Sequence, residues 1–211
     1  MFRVLFHILA RVEINGKDNI PEKAPYLVAI NHISLFEPPL VLAFWPITLE
    51  AIGASDIWER PGQSVLAKMY GGIQVRRGKY DRQVIENALS ALRSGRPLVI
   101  APEGGRSHTP GMRRGLPGVS YMIDQADVLV VPVGIVGSTD DFLEKALKFK
   151  RPKIAMNIGK PIKVPRIEGR GEERRNLRQQ NTDLIMAHIA ALVPPGYRGV
   201  YADHPLLKEL V

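Results

Sequence analysis

The sequence predicts an α/β fold, a single-domain sandwich around a mixed, largely parallel sheet, with an amphipathic helix at its N-terminus. Three observations predict it. Short, β-branched apolar runs, Tyr26-Leu27-Val28-Ala29-Ile30 and Pro97-Leu98-Val99-Ile100, each empty into polar, loop-like sequence, as buried strands do. Segments of helical character, 81–94 and 170–193 among them, are interleaved with such runs. The run over 128–135 is apolar almost throughout, which marks a central strand covered on both faces. With 211 residues, 45% of them apolar, one domain with a sizeable core is expected.

Residues 1–11 read as a helix. Arg3, His7 and Arg11 fall four apart on one stripe, and Phe2, Leu5, Phe6, Ile8 and Leu9 take most of the rest. An apolar helix with a narrow basic edge fits an interfacial membrane anchor; it equally fits a terminal helix packed on the core. Eleven residues are marginal as an isolated helix, so either surroundings must stabilise it. The chain divides into this membrane-interface helix, 1–11, and one domain, 12–211.

Residues 11–25 read as a short strand and a polar loop, with Asn15-Gly16 as a turn signal. After the strand at 26–30, Pro38 suits the first position of a helix that runs to Phe44 and stops before Pro46. A strand is expected over 48–54, a short helix over 63–70 and a strand over 71–76. Asp81 caps a helix reaching about Ser94, with Ile85, Leu89 and Leu92 inward. Residues 108–117 hold His108, Arg113 and Arg114 among Pro and Gly and read as a rim; His108 is expected to be a surface loop residue. A helix over 117–125 precedes the strand at 128–135. Proline is awkward in a central strand, so Pro132 is expected to mark a bulge or a strand end. Residues 153–159 alternate like an edge strand, and 170–193 form a long helix.

Composition narrows the chemistry. Cysteine is absent, which rules out a disulfide framework, a thiol nucleophile and a zinc–thiolate site, and no metal site is expected. No run approaches the roughly 18 consecutive apolar residues of a membrane span, and no cleavage site follows the first segment, so neither a spanning helix nor a signal peptide is expected. Net charge is +8. Segment 144–178 holds 12 Lys/Arg against 4 Asp/Glu and carries the whole excess. A solvated basic face is the ordinary explanation. No aromatic interleaving or known nucleic-acid module accompanies it, so nucleic acid is not an expected partner. An anionic membrane surface suits it better, each basic residue contributing about 1 kcal/mol near such a surface.

Two loops carry the candidate chemistry. In Asn31-His32-Ile33-Ser34-Leu35-Phe36-Glu37, an imidazole and a carboxylate stand five residues apart. On a regular helix that spacing turns them about 140° apart, so they meet only if the chain curls out of the strand before the next helix begins. Glu37, preceding a proline, is pushed toward extended geometry and is expected to cap that helix while facing the ring. A carboxylate accepting from one ring nitrogen fixes the tautomer and frees the other as a general base. The plainer alternative is a capping carboxylate beside an unrelated polar histidine. In Pro102-Glu103-Gly104-Gly105-Arg106-Ser107, the glycines let backbone approach a ligand and leave amides for anions, and Arg106 offers a fork suited to phosphate. Alone, this stretch also reads as a tight surface turn. Arg76 and Arg77 end the strand at 71–76, and alternation lets only one of them face a shared site.

Together these stretches resemble the lysophosphatidic acid acyltransferase family of glycerolipid acyltransferases. That family carries Asn-His-x-Ser-x-x-Asp, a Gly-containing strand ending in Arg, Pro-Glu-Gly-Thr-Arg-Ser and a Val-Pro-Val strand. Here the same order runs through Asn31, His32, Ser34 and Glu37; Gly72 to Arg77; Pro102 to Ser107; and Val131-Pro132-Val133, so that the resemblance spans roughly 12–165. Glu37 stands where the family has Asp, which lengthens one arm by a methylene. Gly105 stands where it has Thr, which removes a hydroxyl from the anion loop.

The resemblance implies that 12–211 is an acyltransferase domain, with His32 and Glu37 as catalytic dyad. It selects Arg77, with Arg106 and the Gly104-Gly105 backbone, for the acceptor phosphate, and ties Glu103 to acceptor binding, on the glycerol hydroxyls or in orienting Arg106. It further implies acyl transfer from a thioester, acyl-CoA or acyl-carrier protein, to the free hydroxyl of a lysophospholipid, with no bound cofactor. Phosphatidate is the expected product. The departures at Glu37 and Gly105 leave open another lysolipid, an amino-acid lipid or a glycolipid as acceptor. A non-catalytic membrane- or nucleic-acid-binding protein is the alternative of another class. The expected location is peripheral, on the cytoplasmic face of a membrane.

Overall fold

A computed structural model describes residues 2–23, 25–59, 64, 68, 71–75 and 82–211. Helix α1 (Phe2–Leu9) leads into β1 (Arg11–Asn15), followed by β2 (Tyr26–Ile30), α2 (Glu37–Phe44), β3 (Glu50–Ala54) and β4 (Ile73–Val75). Then come α3 (Arg82–Arg93), β5 (Leu98–Ile100), α4 (Gly118–Ala126), β6 (Leu129–Val136), α5 (Phe142–Leu147), β7 (Lys153–Ile158), α6 (Gly171–Ala191) and the single turn α7 (Leu207–Leu210). The seven strands form one sheet in the order β1-β7-β6-β2-β5-β3-β4. Every neighbouring pair is parallel except β6 and β7, so the sheet is mixed and largely parallel as expected.

Strand β2 shows why the sheet sits in the middle of three layers. Alternation sends Tyr26, Val28 and Ile30 to one face, where they pack with Phe6 of α1, Leu40 and Val41 of α2 and Phe142 of α5. Leu27 and Ala29 meet the other face, packing with Ala88 and Leu92 of α3, Val119 and Ile123 of α4, and Ile185 and Ile189 of α6. All five residues of the strand are buried, which is why it reads as a continuous apolar run rather than an alternating one. In α6 the buried pairs Asn181-Thr182, Ile185-Met186 and Ile189-Ala190 recur at helical spacing and define its inner stripe.

The structure differs from the sequence expectations in several places, each with a local cause. Strand β7 is not an edge: it lies between β1 and β6, and Ile154, Ala155 and Met156 are all buried. The edge is β1, whose Arg11, Glu13 and Asn15 are exposed. Strand β3 begins at Glu50 rather than residue 48. Pro132 does not end β6, which runs through it in register with Ala29 of β2. Its missing N–H falls opposite an irregularity in the partner: Val133 pairs with Ile158 and Val130 with Ile162, so residues 159–161 face only 131 and 132. The Pro132 carbonyl still accepts the Gly159 N–H, at 2.9 Å. Glu37 is the first residue of α2 rather than its cap, a position that Phe36 takes.

Helix α1 packs on the core through Phe6, one of the two placements the sequence allows. Its basic stripe lies along α2: the Arg3 guanidinium donates to the Ala43 and Trp45 carbonyls at the end of that helix, and His7 packs edge-on against Phe44, both side chains keeping exposed surface. A cation on the last carbonyls of a helix satisfies groups that have no partner within it. Arg11 belongs to β1. Val4, Leu5 and Ile8 are turned outward as well. The helix expected over 63–70 lies almost wholly outside the described residues, as does Asp81.

Asn31, one residue past β2, ties the two central strands together. Its amide nitrogen donates to the Ile135 carbonyl at 2.9 Å and its oxygen accepts the Ile135 N–H at 2.7 Å, all fully buried. Asn31→Leu should leave both Ile135 groups unpaired in the core and lower unfolding free energy by about 2–3 kcal/mol in urea titrations.

Candidate active site

The strands β2 and β5 run parallel and adjacent, so their carboxyl ends open onto the same edge of the sheet, where α/β folds place their sites. His32 follows the end of β2 by two residues. Its Nδ1 lies 2.9 Å from Glu37 Oε2. The imidazole side chain is 12% exposed while Glu37 has no exposure, so one ring nitrogen meets the buried acid and the ring keeps an open side. The curl needed for this is built by Ser34. Its N–H donates to Glu37 Oε1 at 2.9 Å, its hydroxyl donates to the same oxygen at 3.2 Å, and that hydroxyl also accepts the Phe36 N–H. The Ser-x-x-Glu spacing is that of a capping box, with the glutamate reaching back to the serine N–H.

The loop after β5 grips the same segment. Glu103 Oε1 accepts the His32 N–H at 2.8 Å, and Oε2 accepts the Arg113 N–H at 2.8 Å. The His32 carbonyl accepts the Ser107 N–H at 2.8 Å, and the Ile33 carbonyl that of His108. Both oxygens of Glu103 are thus engaged by main chain, so it holds the loops rather than offering a free carboxylate to a ligand. Burial pushes its pKa up to about 7, against the two amide donors and the Arg113 charge, which pull it down.

Beside it, Gly104 takes φ 67 and a Cβ there would meet Leu116 at 2.4 Å, so both the turn and its packing need glycine. Among the described residues, the amides of Gly105 and Arg106 and the guanidinium of Arg106 meet no protein acceptor. Amides without a protein partner next to a left-handed glycine, with a guanidinium beside them, are donors available to an anion. Gly72 precedes β4 where a Cβ would come 2.8 Å from the Ala51 carbonyl; its role is close strand approach. Arg77, the other expected phosphate ligand, lies outside the described residues. Pro132 is buried in mid-sheet. His108 is an exposed loop residue, as expected, 3.6 Å from Asp140.

Sequence reasoning missed two features. Ser138, fully buried two residues beyond β6, donates its hydroxyl to Glu37 Oε1. Its signal was present: β6 is parallel to β2 and adjacent to it, so polar residues just past both strands share one edge. The second is a C-terminal strap. The Tyr197 carbonyl accepts the Met112 N–H, the Met112 carbonyl accepts the Val200 N–H, and Tyr201 Oη accepts the Gly115 N–H at 2.9 Å while donating to Asp183. Gly199 lies so close to Met112 that a Cβ would come 2.1 Å from its carbonyl oxygen. The rim at 111–115, which follows the anion loop, is therefore clamped by residues 197–201.

Comparison with known proteins shows what the chain is similar to. A family profile described as Acyltransferase matches residues 11–136. The chain is 25% identical over 157 residues to the 1-acyl-sn-glycerol-3-phosphate acyltransferase alpha of Homo sapiens, covering 72% of this chain and 55% of that protein. The Bos taurus protein of that name gives 25%, with 72% and 54% covered. A 1-acyl-sn-glycerol-3-phosphate acyltransferase of Borreliella burgdorferi is 21% identical over 139 residues, with 65% and 56% covered. The chain spans about half the length of these curated relatives. The 1-acyl-sn-glycerophosphate (LPA) acyltransferase PlsC of Thermotoga maritima has a similar fold, with a TM-score of 0.61 and 22% identity over 87% of this chain and 74% of that one.

The raised pKa of Glu103 has a sign that can be tested. A carboxyl whose folded pKa lies above its unfolded value stabilises the fold most below about 4.5 and loses that contribution as pH rises through about 7. Glu103→Gln removes the titration, so the stability difference, wild type minus variant, should fall steadily in thermal melts taken from about pH 5 to about pH 8.

Proposed function

The chain belongs to the acyltransferase family, and on that premise we propose that it moves a fatty acyl group from a thioester donor to the free hydroxyl of 1-acyl-glycerol-3-phosphate, giving phosphatidate for phospholipid biosynthesis. The observation that carries this reading is the 2.9 Å contact of His32 Nδ1 with the buried Glu37 carboxylate. With Nδ1–H held by Glu37, Nε2 carries the lone pair and removes the proton of the acceptor hydroxyl. The oxygen attacks the thioester carbonyl, the C–O bond forms, and the C–S bond breaks. A thiol of pKa near about 8.5 leaves readily as thiolate and takes up the proton from His32. The donor is acyl-CoA or acyl-carrier protein. Attack is direct, in keeping with a chain that has no cysteine.

The acceptor phosphate would rest on the Gly105 and Arg106 amides and the Arg106 guanidinium, with Arg77 as the further cation that the motif implies. Glu103 acts by fixing the His32 main chain. Gly105, without the hydroxyl the family has there, favours a second reading of the same chemistry on another lysolipid, an amino-acid lipid or a glycolipid. A panel of acceptors with mass-spectrometric identification of products decides between the two.

The working location is the cytoplasmic face of a membrane, peripherally bound. Among the described residues no helix is long and apolar enough to cross a membrane. Support for surface attachment comes from Val4, Leu5 and Ile8, turned outward on α1, and from Leu147 and Phe149, 64% and 80% exposed. These two segments adjoin, since the Arg151 guanidinium donates to the His7 carbonyl at 2.9 Å. Lysines 145, 148 and 150 surround the second segment. Apolar insertion with basic attraction supplies the two signals that stable attachment needs.

His32→Ala should lower kcat by about 10²–10⁴ while leaving the melting curve in place; full turnover would remove the base assignment. Glu37→Gln should cost a comparable share of kcat, since an amide cannot hold the same tautomer. Arg106→Ala should act mainly on the acceptor KM, read from thiol release at varied lysophosphatidate. In vesicle flotation, Val4→Ser with Ile8→Ser should release the protein from membranes containing phosphatidylglycerol, and high salt should do the same to the wild type.

A further inference from the structure

We propose that Ser138 is a positioning residue of the dyad, the group that fixes the Glu37 carboxylate to the sheet. This rests on the reading of His32 as the base. The two oxygens of Glu37 are held differently. Oε2 faces His32 Nδ1 and shares the Ser34 N–H, at 3.1 Å, while Oε1 takes that N–H at 2.9 Å together with the hydroxyls of Ser34 and Ser138. Both Ser34 contacts come from the same loop, three residues away, and travel with Glu37 if that loop shifts. Ser138 comes from the far side of the site, 101 residues on in sequence, and is anchored independently.

That anchoring is specific. Gly137 takes φ 89, and a Cβ on it would lie 2.2 Å from the Lys153 carbonyl, so the turn out of β6 sits tightly against β7. The Gly137 N–H donates to Tyr197 Oη at 3.1 Å. Ser138 itself has no exposed surface. A glutamate has one more rotatable bond than the aspartate of the family motif, and each free torsion lets its carboxylate swing off the imidazole. A hydroxyl from a rigid strand end, donating to the oxygen that His32 does not use, removes that freedom.

Without the Ser138 hydroxyl, Glu37 loses the one donor that comes from outside its own loop, and its carboxylate can turn off the imidazole. The test is steady-state kinetics for Ser138→Ala, Ser138→Cys and Ser138→Thr, with melting temperatures. Ser138→Ala and Ser138→Cys should lower kcat by about tenfold, the loss of one charge-assisted hydrogen bond, with acceptor KM unchanged. Ser138→Thr, which keeps the hydroxyl, should restore kcat. Should alanine unfold the site, the cysteine variant carries the test, because it fills the same space with a weak donor. Wild-type kcat in a folded cysteine variant overturns the proposal, as does a threonine variant no better than cysteine. Full activity in His32→Ala would instead bring down the reading beneath it.

Discussion

A carboxylate with no access to water must be surrounded by donors, and the candidate site is organised by that requirement at Glu37. Its donors arrive from three parts of the chain: the ring of His32, the turn at Ser34 and the strand end at Ser138. The desolvation cost of an unpaired buried anion is several kcal/mol, so these contacts are conditions of folding as well as of chemistry. Helix α2 begins at Glu37 because the acid reaches back to Ser34 instead of capping forward. The outward side of His32 remains open because its inward side is taken.

Glu103 plays the complementary part with main chain. One oxygen holds the His32 amide and the other the Arg113 amide, so a single buried acid sets the distance between the dyad loop and the rim of the anion loop. Two acids, one gripping a side chain and one gripping backbone, locate the same histidine from two directions. Asn31 adds a third constraint by fixing the end of β2 to β6. The geometry of the candidate dyad is therefore inherited from the middle of the sheet, where β2 is buried throughout.

Much of this was legible in the residues. The apolar runs and their polar exits located β2, β5 and β6, and Ser34-x-x-Glu37 carried a recognisable turn chemistry. Illegible features were those decided by what lies alongside. Alternation in 153–159 says nothing of whether a neighbour covers the flank, so the sequence reads as an edge what β1 in fact covers. Arg3 and His7 share a stripe, yet nothing local tells that the carbonyls ending α2 receive Arg3 and that the Phe44 ring receives His7. Pro132 is admissible in mid-sheet only because the opposite strand holds an extra residue there. The grip of Glu103 on main chain was equally illegible: nothing local foretells that the amides of His32 and Arg113 will meet its two oxygens.

The strap formed by residues 197–201 changes where the working unit ends. The family profile stops at residue 136, but the segment beside the anion loop is buttoned down by backbone roughly sixty residues later. Tyr197 reaches both the Met112 main chain and the Gly137 amide, so the strap joins the rim at 111–115 to the turn that carries Ser138. Sequence drift in 197–201 would thus move both flanks of the candidate site at once without touching any motif residue.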